Sequence, residues 1–371
     1  MELFLGFLFL LLGAVCGGSF GLPSKFVSKD TPWEVLWGPF FLFVTVLLPV
    51  VVGPVLVTDF FATYSAVPFA KLLPVLIFGF LWGLGSMTLG LSFAFIGLSL
   101  AYALNYGAQI ITGSLLPMVM FNPGDIPTLH GAVVLAGVAV CVVGVIVAGR
   151  AAMLKESSIK KEEDAPQDAA SAGKPNMLIG VVIGVVSGIL CACWALASSS
   201  AAVEGGVAAA ATAAENGPVA VGWAVTCLIL WGGVLSACGY CVYKLAKNKT
   251  WGHFAKPGIG LTLALALVMA VLHDAAVLFF ALGWVRLGAL GVPVGYPAFM
   301  SFAIIVGNVH GFRTGEWKGA SRKSIQWIVA GIIVLILGVC ILAQGNAMKQ
   351  RAAAKEQPPA AAPAEPAADK G

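Results

Sequence analysis

Apolar residues gather along this chain in ten stretches of roughly 20, the length a helix needs at 1.5 Å per residue to cross a hydrocarbon core about 30 Å thick. The pattern predicts ten membrane-spanning helices near 3–22, 35–57, 72–96, 98–120, 129–149, 177–203, 217–243, 259–282, 288–309 and 326–345. The polar positions between them alternate in charge. Of 21 Lys and Arg residues, 15 fall in odd-numbered loops: Lys25, Lys29; Arg150, Lys155, Lys160, Lys161, Lys174; Lys244, Lys247, Lys249, Lys256; Arg313, Lys318, Arg322, Lys323. Among the even loops, the second has Lys71 at its edge and the eighth has Arg286. The positive-inside rule then places odd loops in the cytoplasm and both termini outside. Lys349, Arg351, Lys355 and Lys370 follow the last stretch, in a tail that ends QPPAAAPAEPAADKG. That Ala/Pro run is low in complexity, is expected to be disordered, and weighs less than the fifteen.

Composition excludes a soluble core: 59% of residues are apolar and 10% charged, against soluble averages of about 45–50% and 25%. The net charge of +4 reflects basic loops beside an anionic leaflet, so it argues for a lipid bilayer as partner and not for nucleic acid. The first stretch, MELFLGFLFLLLGAVCGG, has no basic n-region, and it is expected to remain as a helix of the mature protein. All eight cysteines lie in or beside apolar stretches, where they act as small hydrophobes. No disulfide framework or metal site is expected; Cys191 and Cys193 lack further ligands at zinc spacing.

One long hydrophilic interruption, RAAMLKESSIKKEEDAPQDAASAGKPN at 150–176, divides the chain into halves of five helices, 1–149 and 177–345, with a tail at 346–371. An odd number of crossings per half obliges the halves to insert in opposite orientations. The predicted fold is therefore an all-α membrane protein whose ten transmembrane helices form two inverted five-helix repeats. In such a plan a substrate site lies near the midplane between the halves, and one half rocks against the other. GAVCGGSFG at 13–21 and GVVSGILCA at 184–192 open the halves with a similarly placed G-x-x-x-G, a spacing that close helix packing also explains. Pro293 and Pro297 are expected to bend or break the ninth helix.

Several blocks occur in an order and spacing that resemble a known family: Pro23 and Lys25 after the first helix, TPWEVLW at 31–37 and LPVLIFGFLWGLG at 73–85. LGLSFAFIGLSL at 89–100, GSLLPMV at 113–119 and GEWKGASRKS at 315–324 continue the series. Trp33-Glu34-x-x-Trp37 and the Glu316-Trp317 pair are the more specific pieces. The chain resembles the L-rhamnose–proton symporter family of the drug/metabolite transporter superfamily, from about residue 13 to residue 345. The resemblance implies a ten-helix permease of a bacterial-type inner membrane, importing L-rhamnose or a related deoxysugar or hexose with a proton. The chain departs from the family in the middle of the fourth helix and in CACWALASSSAAVEGG at 191–206, where a substrate would be held.

An ionisable group at a helix centre costs roughly 2.5–3.5 kcal/mol on insertion and marks a functional candidate. Asp274, about 16 residues into the eighth stretch, is the expected proton site, with His273 or Arg286 as its modulator. The other reading of Asp274 is a structural bond between helices. Tyr102, Asn105, Tyr106 and Gln109 follow i, i+3, i+4, i+7 spacing on one face of the fourth helix. Their amides suit sugar hydroxyls and their rings the apolar face of a deoxysugar, although the same face would serve as interhelical glue. Trp82 and Trp194 lie deep enough to stack on substrate or to pack; Asn308 is a further candidate, and Ser198, Ser199 and Ser200 can bond back to their own helix. Lys25 and Glu34 suggest a gate pair, with Glu34 also a candidate for proton coupling. His130, Glu204, His310 and Glu316 are expected to be solvated.

No P-loop, H-E-x-x-H or G-x-S-x-G occurs, so neither enzymatic activity nor a cofactor is expected, and an ion or solute gradient must supply the energy. The alternatives to a symporter are an exporter or uncoupled facilitator on the same scaffold, a membrane enzyme, and a sensory or structural protein. The last two would need clustered polar loops or a soluble domain.

Overall fold

A computed structural model describes residues 1–121, 123–163, 176–287 and 295–356, which are almost wholly helical, with no strand among them. The helices are α1 (Glu2–Ser19), α2 (Trp33–Leu42), α3 (Leu48–Leu56), α4 (Phe60–Ser65), α5 (Phe69–Phe121), α6 (Leu129–Glu163) and α7 (Met177–Cys191). They continue as α8 (Cys193–Ala201), α9 (Val207–Ala213), α10 (Pro218–Gly233), α11 (Gly239–Lys247), α12 (Ile259–Leu287), α13 (Tyr296–Arg313) and α14 (Arg322–Glu356). Eight helical stretches among the described residues are long and apolar enough to cross a membrane. This is a multi-pass membrane protein.

One of the eight, Phe69–Met120, is 52 residues long, roughly 78 Å at 1.5 Å per residue and more than twice the hydrocarbon thickness. Its backbone leaves the helix at Gly97, with φ 79° and ψ 174°. The neighbouring α7 shows what happens there. Gly85 of the first arm of α5 packs on Cys191, and Gly180 packs on Phe95 and Ile96, while Gly188 packs on the backbone of Asn105 and Gln109 in the second arm. Residues 85 and 109 thus both meet the same end of α7, so the chain doubles back at Gly97. The sequence placed its boundary between the third and fourth stretches at this residue.

Two of the long rods carry a π-helical turn. Phe43–Leu47 joins α2 to α3 immediately before Pro49, whose missing N–H and bulky ring cannot continue an i to i−4 ladder. Val234–Cys238 joins α10 to α11 between Gly233 and Gly239. The Thr45 hydroxyl and the Cys238 thiol, one from each π-turn, lie 3.7 Å apart. A third rod is interrupted at Ala192, between α7 and α8.

Several boundaries differ from those read in the sequence. The ninth stretch begins in residues 288–294, which with Pro293 lie outside the described residues; α13 runs on to Arg313. Pro297 stands in the first turn of α13, where a missing N–H breaks no bond, so it starts this helix and does not kink it. α13 is not among the eight apolar stretches, because Ser301, Asn308, His310 and Arg313 dilute it. The interruption at 150–176 is helical as far as Glu163 and the tail at 346–371 as far as Glu356. Both segments are rich in Ala, Glu, Lys and Arg, good helix formers that extend the preceding rod.

Candidate functional site

The rods enclose a cavity of about 680 Å³ lined by α1, α5, α6, α7, α8, α12, α13 and α14. Its deep part lies against Phe20, Trp82 and Leu89, and it extends to Asp125 and His130 and to the exposed Asn346 and Gln350 at one end of the bundle. The size is ordinary for a small-molecule site, roughly 300–1,000 Å³.

One wall is polar and comes from the second arm of α5. Asn105 donates both amide hydrogens, to Ser187 Oγ at 2.8 Å and toward Cys191 Sγ at 3.8 Å, which leaves its carbonyl oxygen as a fixed acceptor. One turn on, the half-buried Gln109 takes no hydrogen-bond partner among the described residues; Ser86 and Ser114 are likewise free. The Tyr106 hydroxyl donates to Gly17 O at 3.1 Å, so its ring rather than its oxygen faces the cavity. The opposite wall is aromatic. Trp82 and Trp194 meet edge to face at 5.3 Å, with Phe280 and Phe299 beyond them. A free amide, a fixed carbonyl acceptor and aromatic rings in one lining suit a ligand that carries both hydroxyls and exposed carbon.

His273 lines the same cavity, and its Nδ1 is 2.9 Å from Asp274 Oδ1. Asp274 does not reach the cavity: it is 4% exposed, and its Oδ2 is buried without a partner. Arg286, the other expected modulator, is no neighbour of this pair. It sits twelve residues along α12, roughly 18 Å away at helical rise, over the Phe9 ring at 4.9 Å and near Glu2.

The end of the bundle opposite Asp125 is tied shut by Glu316. The backbone N–H groups of Leu98 and Ser99, at the start of the second arm of α5, donate to its Oε1 (2.7 Å) and Oε2 (3.1 Å). Lys25, in the 3₁₀ turn after α1, reaches Oε1 at 2.9 Å. Trp317 Nε1 donates to Ser99 Oγ at 3.1 Å, and Ser99 Oγ donates to Asn308 Oδ1 at 2.5 Å. The buried Lys155 lies over the Trp317 ring at 5.0 Å.

At the cavity's other end Asp125 pairs with Lys349 at 2.5 Å and lies 3.3 Å from His130 Nε2. The Lys349 ammonium holds the Asp125 carboxyl below the usual carboxylate range. This clamp between the turn after α5 and the end of α14 is therefore intact above that range and is lost as pH falls below it.

The structure thus brings Trp82, Asn105, Tyr106, Gln109, Trp194 and His273 together around one space. Besides Asp274, four candidates stand elsewhere. Tyr102 shares the helical face of Asn105, but the cavity ends one turn short of it; it is fully buried, and its hydroxyl accepts from Gly21 N at 2.9 Å. Asn308 is consumed by Ser99 and by Ile304 O. Glu34 and Lys25 do not form a gate pair. Glu34, in the first turn of α2, accepts from Asn248 Nδ2 (2.8 Å) and Thr250 Oγ1 (2.9 Å), whereas the partner of Lys25 is Glu316.

A family model described as L-rhamnose-proton symport protein (RhaT) matches residues 1–348. The chain belongs to that family. The L-rhamnose-proton symporter of Cronobacter sakazakii is 30% identical over 352 residues, covering 92% of this chain and 98% of that protein. The L-rhamnose-proton symporter of Escherichia coli O157:H7 is 29% identical with the same coverage. No solved structure matches the chain significantly.

The structure gives new weight to two residues that the sequence analysis took as solvated or counted with the linker. Glu316 looked like a solvated loop residue, yet its side chain is 7% exposed; Lys155 was counted with the linker, yet it is buried. The available signal was the loop GEWKG, in which an acid and a tryptophan lie between glycines.

Proposed function

We propose that the chain is a proton-coupled symporter that imports L-rhamnose, or a closely related deoxysugar or hexose, across a bacterial inner membrane by alternating access. The observation that carries this reading is the cavity itself, lined by the unspent Gln109 amide, the Asn105 carbonyl oxygen and aromatic rings, with His273 in its wall backed by the buried Asp274. The named relatives supply the substrate class.

The reading takes ten crossings as two inverted repeats, 1–149 and 177–345, joined by a cytoplasmic linker. Packing supports it: α1 lies against α12 and α13, and α7 lies against both arms of α5, as an exchange of halves requires. α6 packs on α14, and the two π-turned rods meet each other. With odd loops cytoplasmic, Lys25, Lys155 and Glu316 close the inner end while the cavity extends outward to Asp125. The His273–Asp274 pair is assigned the proton. One proton moving through 100 mV provides about 2.3 kcal/mol, enough for roughly 50-fold accumulation of a neutral sugar.

Purified protein in sealed vesicles should concentrate labelled L-rhamnose when an inward proton gradient is imposed and should lose the accumulated label when a protonophore is added. Equilibration without accumulation in a panel of deoxysugars and hexoses would leave a facilitator instead. Within that assay Gln109→Ala removes one unspent amide, and KM is expected to rise by up to about tenfold, the worth of one hydrogen bond of about 1 kcal/mol or slightly more. Tyr102→Phe should leave KM unchanged but lower the melting temperature, since the Gly21 N–H loses its buried acceptor.

A further inference from the structure

His273 occupies a place that neither a passive lining residue nor a mere modulator of Asp274 requires. Its ring is held on three sides, edge-on by Phe20 (5.5 Å) and Phe40 (6.3 Å) and tilted against Trp82 (5.8 Å). Its Nδ1 faces Asp274 Oδ1 at 2.9 Å. An ionised carboxylate can only accept, so Nδ1 carries a hydrogen and the neutral ring presents Nε2 as an acceptor. No protein group takes Nε2 among the described residues, and the ring is part of the cavity wall. Asp274 is sealed behind it.

We propose that the proton and the sugar share one binding group: His273 Nε2 takes the proton from cavity water and, as imidazolium, donates it in a hydrogen bond to a sugar hydroxyl. This rests on the symporter reading above and refines its proton site. The bookkeeping is simple. A proton adds to Nε2, the imidazolium charge is balanced by Asp274, no covalent bond to sugar forms, and the proton leaves Nε2 for water when the cavity faces the other side.

A charge-assisted hydrogen bond is roughly twice as strong as a neutral one, so the protonated ring holds sugar more tightly than the neutral ring. By reciprocity, bound sugar holds the proton more tightly. Coupling then needs no long-range path. Phe20, Phe40 and Trp82 meet the His273 ring, and the Cys227 thiol of α10 lies near Asp274. The surrounding elements also carry the Cys16 thiol of α1 and the Tyr102 and Tyr106 phenols of α5, and their charged groups stand at helix ends: Glu2 near Arg286, Lys25 on Glu316, Glu34 on Asn248, Lys71 on Glu204 O, His310 on Ser19, Arg313, and Lys256 on His253 in the turn before α12.

The test is sugar binding to purified protein at a series of pH values, read by tryptophan fluorescence with L-rhamnose, together with an indicator of proton uptake in weakly buffered solution. Wild-type affinity is expected to fall as pH rises through the titration of the pair, approaching tenfold per pH unit as linkage to one proton requires, and adding sugar should draw protons from solution. In His273→Gln, which keeps a hydrogen-bonding side chain without a titration, the slope and the proton uptake should both vanish, whatever the remaining affinity. Asp274→Asn removes the balancing charge but leaves the imidazole, so the fall in affinity should move to lower pH with its slope kept; a slope that vanishes there with His273 intact returns the proton to Asp274, and this decides the matter if His273→Gln binds too weakly to measure. Sugar that binds wild type without taking up protons, a wild-type slope kept in His273→Gln, or a slope lost in Asp274→Asn overturns the shared site. Wild type that binds no sugar in the panel would instead overturn the symporter reading.

Discussion

Gly97→Ala is expected to remove most of the folded protein. At φ 79° and ψ 174° the backbone sits where essentially only glycine rests, and forcing another residue there costs about 1–3 kcal/mol. The added Cβ would also fall 2.6 Å from the Glu316 carboxyl carbon and from its Oε2. The carboxylate has little room to retreat, because it is bonded to Leu98 N, Ser99 N and Lys25 at once. Displacing it breaks a largely buried charge pair, a class of change that costs about 3–5 kcal/mol. Set against total stabilities of about 5–15 kcal/mol, the two effects together should show as a large fall in melting temperature and loss of the monodisperse peak. Gly222→Ala is the matched control. Nothing lies within 4 Å of a Cβ at that position in α10, and alanine is the better helix former, so its melting temperature should hold or rise slightly. Equal stability of the two variants would show that the reversal at Gly97 does not depend on a glycine.

The reversal at Gly97 was legible because a bilayer limits how long an apolar helix can run, which forces a boundary near the middle of a 52-residue stretch. The polar face of the fourth stretch was legible by its period, and Asn105, Tyr106 and Gln109 do line the cavity. Periodicity gives the direction in which side chains point but not how far along a helix the empty space extends, and on that ground Tyr102 was misassigned. Asn308 and Glu34 illustrate a second gap. A polar residue inside a membrane signals that something must satisfy it, and here the partners are Ser99, Asn248 and Thr250, remote in sequence. Glu316 failed in the opposite direction. A charged residue in a basic loop looks solvated until Gly97, Gly311 and Lys25 are seen folded around it.

Glu316→Ala is expected to release the closed end of the bundle. The carboxylate joins three segments that the proposed alternating access would separate: the turn after α1, the start of the second arm of α5, and the loop before α14. Removing it leaves Lys25 without an anion and returns two helix N-terminal amides to water or to strain. If about 3 kcal/mol of this contact is specific to the closed state, its loss shifts the equilibrium between states by more than 100-fold, at tenfold for each 1.4 kcal/mol. Spin labels at Asp30→Cys and Arg313→Cys, on exposed positions flanking the contact in a background cleared of accessible native cysteines, should report it. The distance distribution is expected to move from one short population to a longer one, and proton-driven accumulation should collapse into slow equilibration. Lys29→Ala removes an exposed lysine close to the same turn and should change neither readout. Glu316→Gln separates the two functions of the side chain, since an amide oxygen still accepts from a backbone N–H but offers Lys25 no charge. An intermediate shift would assign part of the closure to the ion pair. A distribution like that of wild type would assign it to the capping bonds alone, and in that case Lys25→Ala should also leave the end shut.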